Sequence, residues 1–137
     1  MNRKDLQELS KVRLTEAKAL LNLGMSDGAY YLAGYAVECG LKACIAKGTQ
    51  RHDFPDKKKA DSSYTHTLRD LVRVAGLETS RLKRVGESKA FDDNWEAVDK
   101  WSERSRYERK TPEAAKGLVD AVSNRRDGVI SWIKLFW

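Results

Sequence analysis

The sequence predicts an all-α fold: an up-and-down bundle of four main helices plus a short fifth, in a single domain over residues 1–137. Three observations predict it. Apolar residues recur at helical spacing, and no stretch alternates as a strand would. Only two prolines, Pro55 and Pro112, occur in 137 residues. The segment 27–47, DGAYYLAGYAVECGLKACIAK, is apolar nearly all round and holds only Glu38 and Lys42 as interior charges. A helix of that kind is buried on most sides.

Each element has its own warrant. Leu6, Leu9, Val12, Ala17, Leu20 and Leu21 mark an amphipathic first helix over about residues 2–23. Gly24 suits the left-handed residue that ends it, and Ser26 or Asp27 is placed to cap the next. So short a turn makes the first two helices antiparallel neighbours. In the second helix Ala29, Ala33, Ala36, Gly40 and Ala43 step by four and three along one line. That line lets another backbone approach closely. Tyr30, Val37, Leu41, Cys44 and Ile45 carry the bulk, and Gly48 closes the helix.

Residues 49–65 read as a long polar loop with little to bury, anchored by Phe54 and Tyr64 and otherwise mobile. Thr65 or Thr67 can cap a third helix carrying Leu68, Leu71, Val72 and Ala75, closed by Gly76. Residues 77–85 are weakly helical, and Gly86-Glu87-Ser88 interrupts them. Asp92 and Asp93 precede a short helix with Trp95, Val98 and Trp101, whose spacing points to packing against the central helix. Thr111-Pro112-Glu113 is a strong helix start: a capping hydroxyl, proline at the first position and an acid in the first turn. The last helix is expected to run to about Leu135, although Arg125, Arg126 and Asp127 interrupt its apolar stripe.

Composition excludes several classes. No run approaches the ~18 apolar residues of a membrane span. The opening MNRKDLQELSK lacks the apolar core of a targeting peptide, so the cytoplasm is the expected compartment. Cys39 and Cys44 lie five apart on one helix, about 140° round it, so they read as reduced core thiols rather than a metal or redox pair. The net charge of +6 and pI near 9.4 point to a polyanion, with basic runs at 57–59, 81–84 and 104–110. Those runs matter as a binding surface only where they meet in space.

AYYLAGYAVECGLKACIAK at 29–47 resembles the second helix of HEPN domains (higher eukaryotes and prokaryotes nucleotide-binding). WSERSRYE at 101–108 is similar to the second signature of a prokaryotic, stand-alone HEPN subgroup, and His66-Thr67-Leu68 after FPDKK is similar to its third-helix start. The three occur in the expected order and cover essentially the whole chain. The resemblance implies a HEPN-like helical bundle that commonly forms a homodimer. It implies an RNA endonuclease needing no metal or other cofactor, paired as a toxin with a nucleotidyltransferase-type antitoxin, or part of a defence system. The family's usual active site is an arginine followed by four to six residues and a histidine. This sequence departs from it: no histidine follows Arg104, Arg106 or Arg109, and neither His52 nor His66 has an arginine at the required distance before it. The expectation therefore moves to a non-catalytic or regulatory module that dimerises and binds RNA, nucleotide or a partner protein. An RNA endonuclease with an atypical site is the alternative.

The candidate residues follow. Glu38 and Lys42 are four apart in the favourable acid-first order. A nearly buried carboxylate needs a cation, and WSERSRY offers arginines, so Glu38 is expected to pair with Arg104 or Arg106. Together with Tyr107, these residues would hold a phosphate or stack a base. The structural reading of the same residues is an ion pair plus a tyrosine bonded at a helix start. His66 would sit at a helix N-terminus, where a neutral imidazole is favoured. With Arg106 it could serve as base and cation for cleavage; the plainer reading is a loop histidine. The apolar end Ile133, Leu135, Phe136 and Trp137 adds an argument for a dimer, as surface needing cover.

Overall fold

A computed structural model describes residues 1–48 and 57–137. The described residues are all-helical: α1 (Arg3–Asn22), α2 (Ser26–Lys47), α3 (Lys57–Ser62), α4 (Leu68–Val74), α5 (Glu78–Glu87), α6 (Lys89–Asp99), a 3-10 turn (Glu103–Tyr107), α7 (Pro112–Ser123) and α8 (Val129–Ile133). α1 lies along α2 with α7 on another side of it, α6 packs on α7, and α8 closes the end.

The small line of α2 works as its spacing predicts. Ala29, Ala33, Ala36, Gly40 and Ala43 are all buried. α1 presents its own small residues, Ser10 and Ala17, to this side of the bundle. The backbones come close enough for the Ser10 hydroxyl to donate to the Ala36 carbonyl at 2.7 Å. Val12, read as part of the α1 stripe, is 47% exposed instead. Gly24 and Gly76 both have φ near +75°, each just past the end of its helix, α1 and α4.

Local chemistry relocated several boundaries. Neither Ser26 nor Asp27 caps α2; its N-cap is Met25, which makes no side-chain cap bond. The Asp27 carboxylate is drawn instead to the Lys110 backbone N–H at 2.6 Å. Thr67 holds the N-cap position of α4 without a side-chain cap bond, while Thr65 Oγ1 accepts from the Thr67 N–H. α5 runs through Gly86, and the break falls at Ser88, whose hydroxyl caps α6 by accepting from the Phe91 N–H. The Thr111 cap forms as expected on the Ala114 N–H. Such a cap contributes about 1 kcal/mol.

The long last helix is two helices. Asn124 Oδ1 accepts from the backbone N–H groups of Arg126 and Asp127, which ends α7 in a side-chain-closed turn. Asp127 is held 2.8 Å from Arg84 and from the Ser88 hydroxyl. The turn is so tight that a Cβ on Gly128 would sit 2.2 Å from the Asn124 carbonyl oxygen. Beyond the turn α8 packs on α2, α6 and α7. Ile133 is fully buried, Phe136 and Trp137 pack against the core, and only Leu135 of that terminal group is largely exposed. The apolar surface expected there as an argument for a dimer is mostly covered within the chain itself.

Of the 49–65 loop, residues 49–56 lie outside the described residues, and Phe54 with them. Its second half forms α3, and Tyr64 is 78% exposed rather than an anchor. Trp95 and Trp101 are both buried but diverge. Trp95 meets Trp132 of α8 edge-on, whereas Trp101 lies beyond α6 and covers α2.

Cys39 and Cys44 are free and buried. Burial pushes both thiols from the ordinary 9.0 up to about 11, with Glu38 adding to the effect at Cys39. The fold thus favours the neutral thiol. That contribution is complete below about pH 9 and is lost as pH climbs toward 11. Iodoacetamide at about pH 8 is expected to leave both cysteines unmodified in the native protein and to alkylate both in denaturant. Rapid alkylation of the native chain, read by mass spectrometry, would contradict this.

Candidate functional site

The site is built on one line of α2. Asp27, Tyr31, Gly34 and Glu38 are spaced by four, three and four, so they share a face, and residues 101–110 lie along it. The Trp101 ring stacks on Tyr31 at 6.1 Å between centroids. It is seated so closely on Gly34 that a Cβ there would come within 2.2 Å of the indole. At one end Asp27 holds the Lys110 backbone. At the other stands Glu38.

Glu38 is only 2% exposed. Lys42, one turn on, approaches its Oε2 at 3.3 Å. The second partner comes from elsewhere in the chain: His66 Nδ1 lies 3.0 and 3.1 Å from the two carboxylate oxygens. His66 Nε2 faces Glu103 Oε2 at 3.3 Å. Lys42, Glu38, His66 and Glu103 thus form a continuous chain that ties α2, the start of α4 and the 3-10 turn together. A carboxylate can only accept, so the doubly protonated ring alone donates to both Glu38 and Glu103; a neutral ring donates to one of them. The Glu38 charge also reaches its neighbours. Burial first, then Cys39 and Glu38, raise the Tyr35 hydroxyl above its usual range.

The predicted pairing of Glu38 with Arg104 or Arg106 is not what forms. Neither arginine makes an ion pair among the described residues. The reason lies in the 3-10 turn. With three residues per turn only one side can face the core, and Ser105 takes it at 2% exposure. Arg104, Arg106 and Tyr107 are turned to solvent. Tyr107 is 82% exposed, with the Arg106 guanidinium 5.0 Å from its ring centroid. The site therefore separates into two layers. Glu38, Lys42, His66 and Glu103 form an inner carboxylate–imidazole layer, and Arg104, Arg106 and Tyr107 an outer cationic one. The inner layer does not bring His66 onto Arg106.

Other basic runs are differently engaged. Arg81 pairs with Glu78 and lies over Trp95, and Arg84 is held by Asp127. Lys110 Nζ is taken up by Glu108 at 3.0 Å and by the Tyr30 ring. Arg109 is 97% exposed at the mouth of a cleft of about 430 Å³ beside the α1–α2 turn. Among the described residues no group of three or more His, Cys, Asp or Glu side chains is arranged to hold a metal, and no helix is long and apolar enough to cross a membrane.

Sequence reasoning missed Glu103 and the Gly34–Trp101 seat. The only hint of the latter was a glycine one position after the alanine line, on a different face of α2. Comparison with family models, with curated proteins and with solved structures gave no match.

Proposed function

We propose that this chain is a HEPN-like helical module that binds single-stranded RNA through residues 102–110 and does not cleave it. The observation that carries the reading is the outward presentation of Arg104, Arg106 and Tyr107 from a turn whose backbone is pinned at both ends. Arginine forks suit phosphate, and an exposed tyrosine beside a guanidinium is a sequence-tolerant stacking platform. The reading of binding without cleavage is supported by the surroundings of His66. Both ring nitrogens face carboxylates, and among the described residues no arginine pairs or bonds with it to steady a phosphorane. The resemblance of residues 29–47 and 101–108 to HEPN domains supports a homodimer in a cytoplasmic toxin–antitoxin or defence setting, with a nucleotidyltransferase-type chain as the protein partner.

The test is fluorescence anisotropy with a labelled single-stranded RNA, read between about 50 and 200 mM salt. Tyr107→Ala is expected to weaken binding about tenfold, consistent with ~1–3 kcal/mol per stacked base. Arg106→Ala is expected to weaken it and to reduce the salt slope by about one. Binding unchanged in both variants would refute the reading. RNA cleaved without metal by the native protein, and spared by His66→Ala, would establish the endonuclease instead.

A further inference from the structure

A second basic surface lies away from the site, where α1, the end of α7 and α8 meet. Two adjoining cavities of about 230 and 300 Å³ share Leu14, Lys18, Ile130 and Lys134 as lining. Lys11 lines the first alone and Arg125 the second alone. The result is one groove with an aliphatic floor and four cations. No carboxylate lines either half. Lys11 has Glu8 at 3.4 Å, on the exposed side of α1. Lys18, Arg125 and Lys134 form no ion pair among the described residues. Four cations thus line one groove whose lining holds no acid.

A concavity lined by one sign of charge over low-dielectric walls concentrates the opposite charge. We infer that this groove binds a ligand carrying two or more adjacent phosphate groups. A single phosphate monoester brings only about −1.5 to −2, which leaves half of the lining charge unmatched. Adjacent phosphates spread along both cavities match it. Lysine acts here as a point charge for phosphate, and the Leu14–Ile130 floor keeps the dielectric low. The inference does not depend on RNA binding by residues 102–110, which lie on a different face of α2.

The experiment is calorimetric titration of the native chain with inorganic tripolyphosphate, with sulfate as a single-anion control. Tripolyphosphate is expected to bind and sulfate to bind much more weakly. Lys18→Glu combined with Lys134→Glu is expected to lower tripolyphosphate affinity by at least roughly tenfold. Both positions are exposed, and the Gln pair at the same sites, with a smaller loss, controls for folding. Arg106→Ala is expected to leave the titration unchanged, so failure here is distinguishable from failure of RNA binding by the 3-10 turn. Absence of binding, binding retained by the Glu pair, or equal binding of sulfate would overturn the inference. A further arm compares RNA bearing a 5′-triphosphate with the same RNA bearing a 5′-hydroxyl. A preference for the former that the Glu pair abolishes makes an RNA end the source of the phosphates; equal binding assigns the groove to a free oligophosphate.

Discussion

Gly34→Ala is expected to destabilise the protein by about 2–3 kcal/mol and to lower its melting temperature by roughly 10 °C. A single methyl at this position would stand 2.2–2.3 Å from three indole atoms of Trp101, far inside van der Waals contact. Trp101 has little room to retreat. It is 3% exposed, stacked on Tyr31 and followed directly by the turn that carries Ser105 inward. The methyl therefore displaces the whole 101–107 segment. A double-mutant cycle with Trp101→Phe gives the sharper measurement. Phenylalanine lacks the five-membered ring that the methyl would strike, and the indole Nε1 has no partner among the described atoms whose loss would add a cost. The two changes are expected to be less than additive by at least about 1 kcal/mol. Thermal melts of the four proteins decide it: additive losses, or a Gly34→Ala melt equal to the native one, would show that the seat is loose.

Glu38→Gln is expected to cost about 2 kcal/mol while preserving a cooperative melt. The carboxylate is almost wholly buried, and its removal leaves Lys42 without its ion-pair partner and His66 with Glu103 as its remaining carboxylate. The loss falls below the ~3–5 kcal/mol typical of a fully buried pair because Lys42 and His66 keep 22% and 45% of their side-chain surface. Both can turn to water. The local effect is larger than the global one. His66 connects Glu38 to Glu103, so amide hydrogen exchange over residues 103–107 is expected to accelerate while exchange in α1 and the middle of α2 does not. Unchanged exchange in the turn would mean that His66 does not hold it. Retained folding with lost RNA binding would place Glu38 behind the outer arginines as a positioning residue.

The degree to which the molecule was legible in its sequence varies with the range of the interaction. The alanine–glycine line of α2, the Gly24 and Gly76 stops and the Thr111-Pro112 start are all contacts within one or two turns, and all are found where spacing places them. The end of the last helix was half legible. Arg125, Arg126 and Asp127 were visible as an interruption of its stripe, but the break needed Arg84 and Ser88 to hold Asp127 from another helix. Cap residues misled at Asp27, since a carboxylate at a helix start can also be claimed by a distant backbone N–H, as Lys110 does here.

By itself the sequence determined an all-α chain, a buried second helix with a close-packing line, and one interior carboxylate that required a cationic partner. Those follow from periodicity and from the cost of burying charge, which are properties of a segment taken alone. Only the tertiary structure decided which partner Glu38 took. Arginines were nearer to hand in composition, but the 3-10 turn spends its single inward position on Ser105 and sends Arg104 and Arg106 outward, while the start of α4 delivers His66 to the carboxylate. That choice depends on three elements meeting at one point, and no local pattern encodes where separate helices meet.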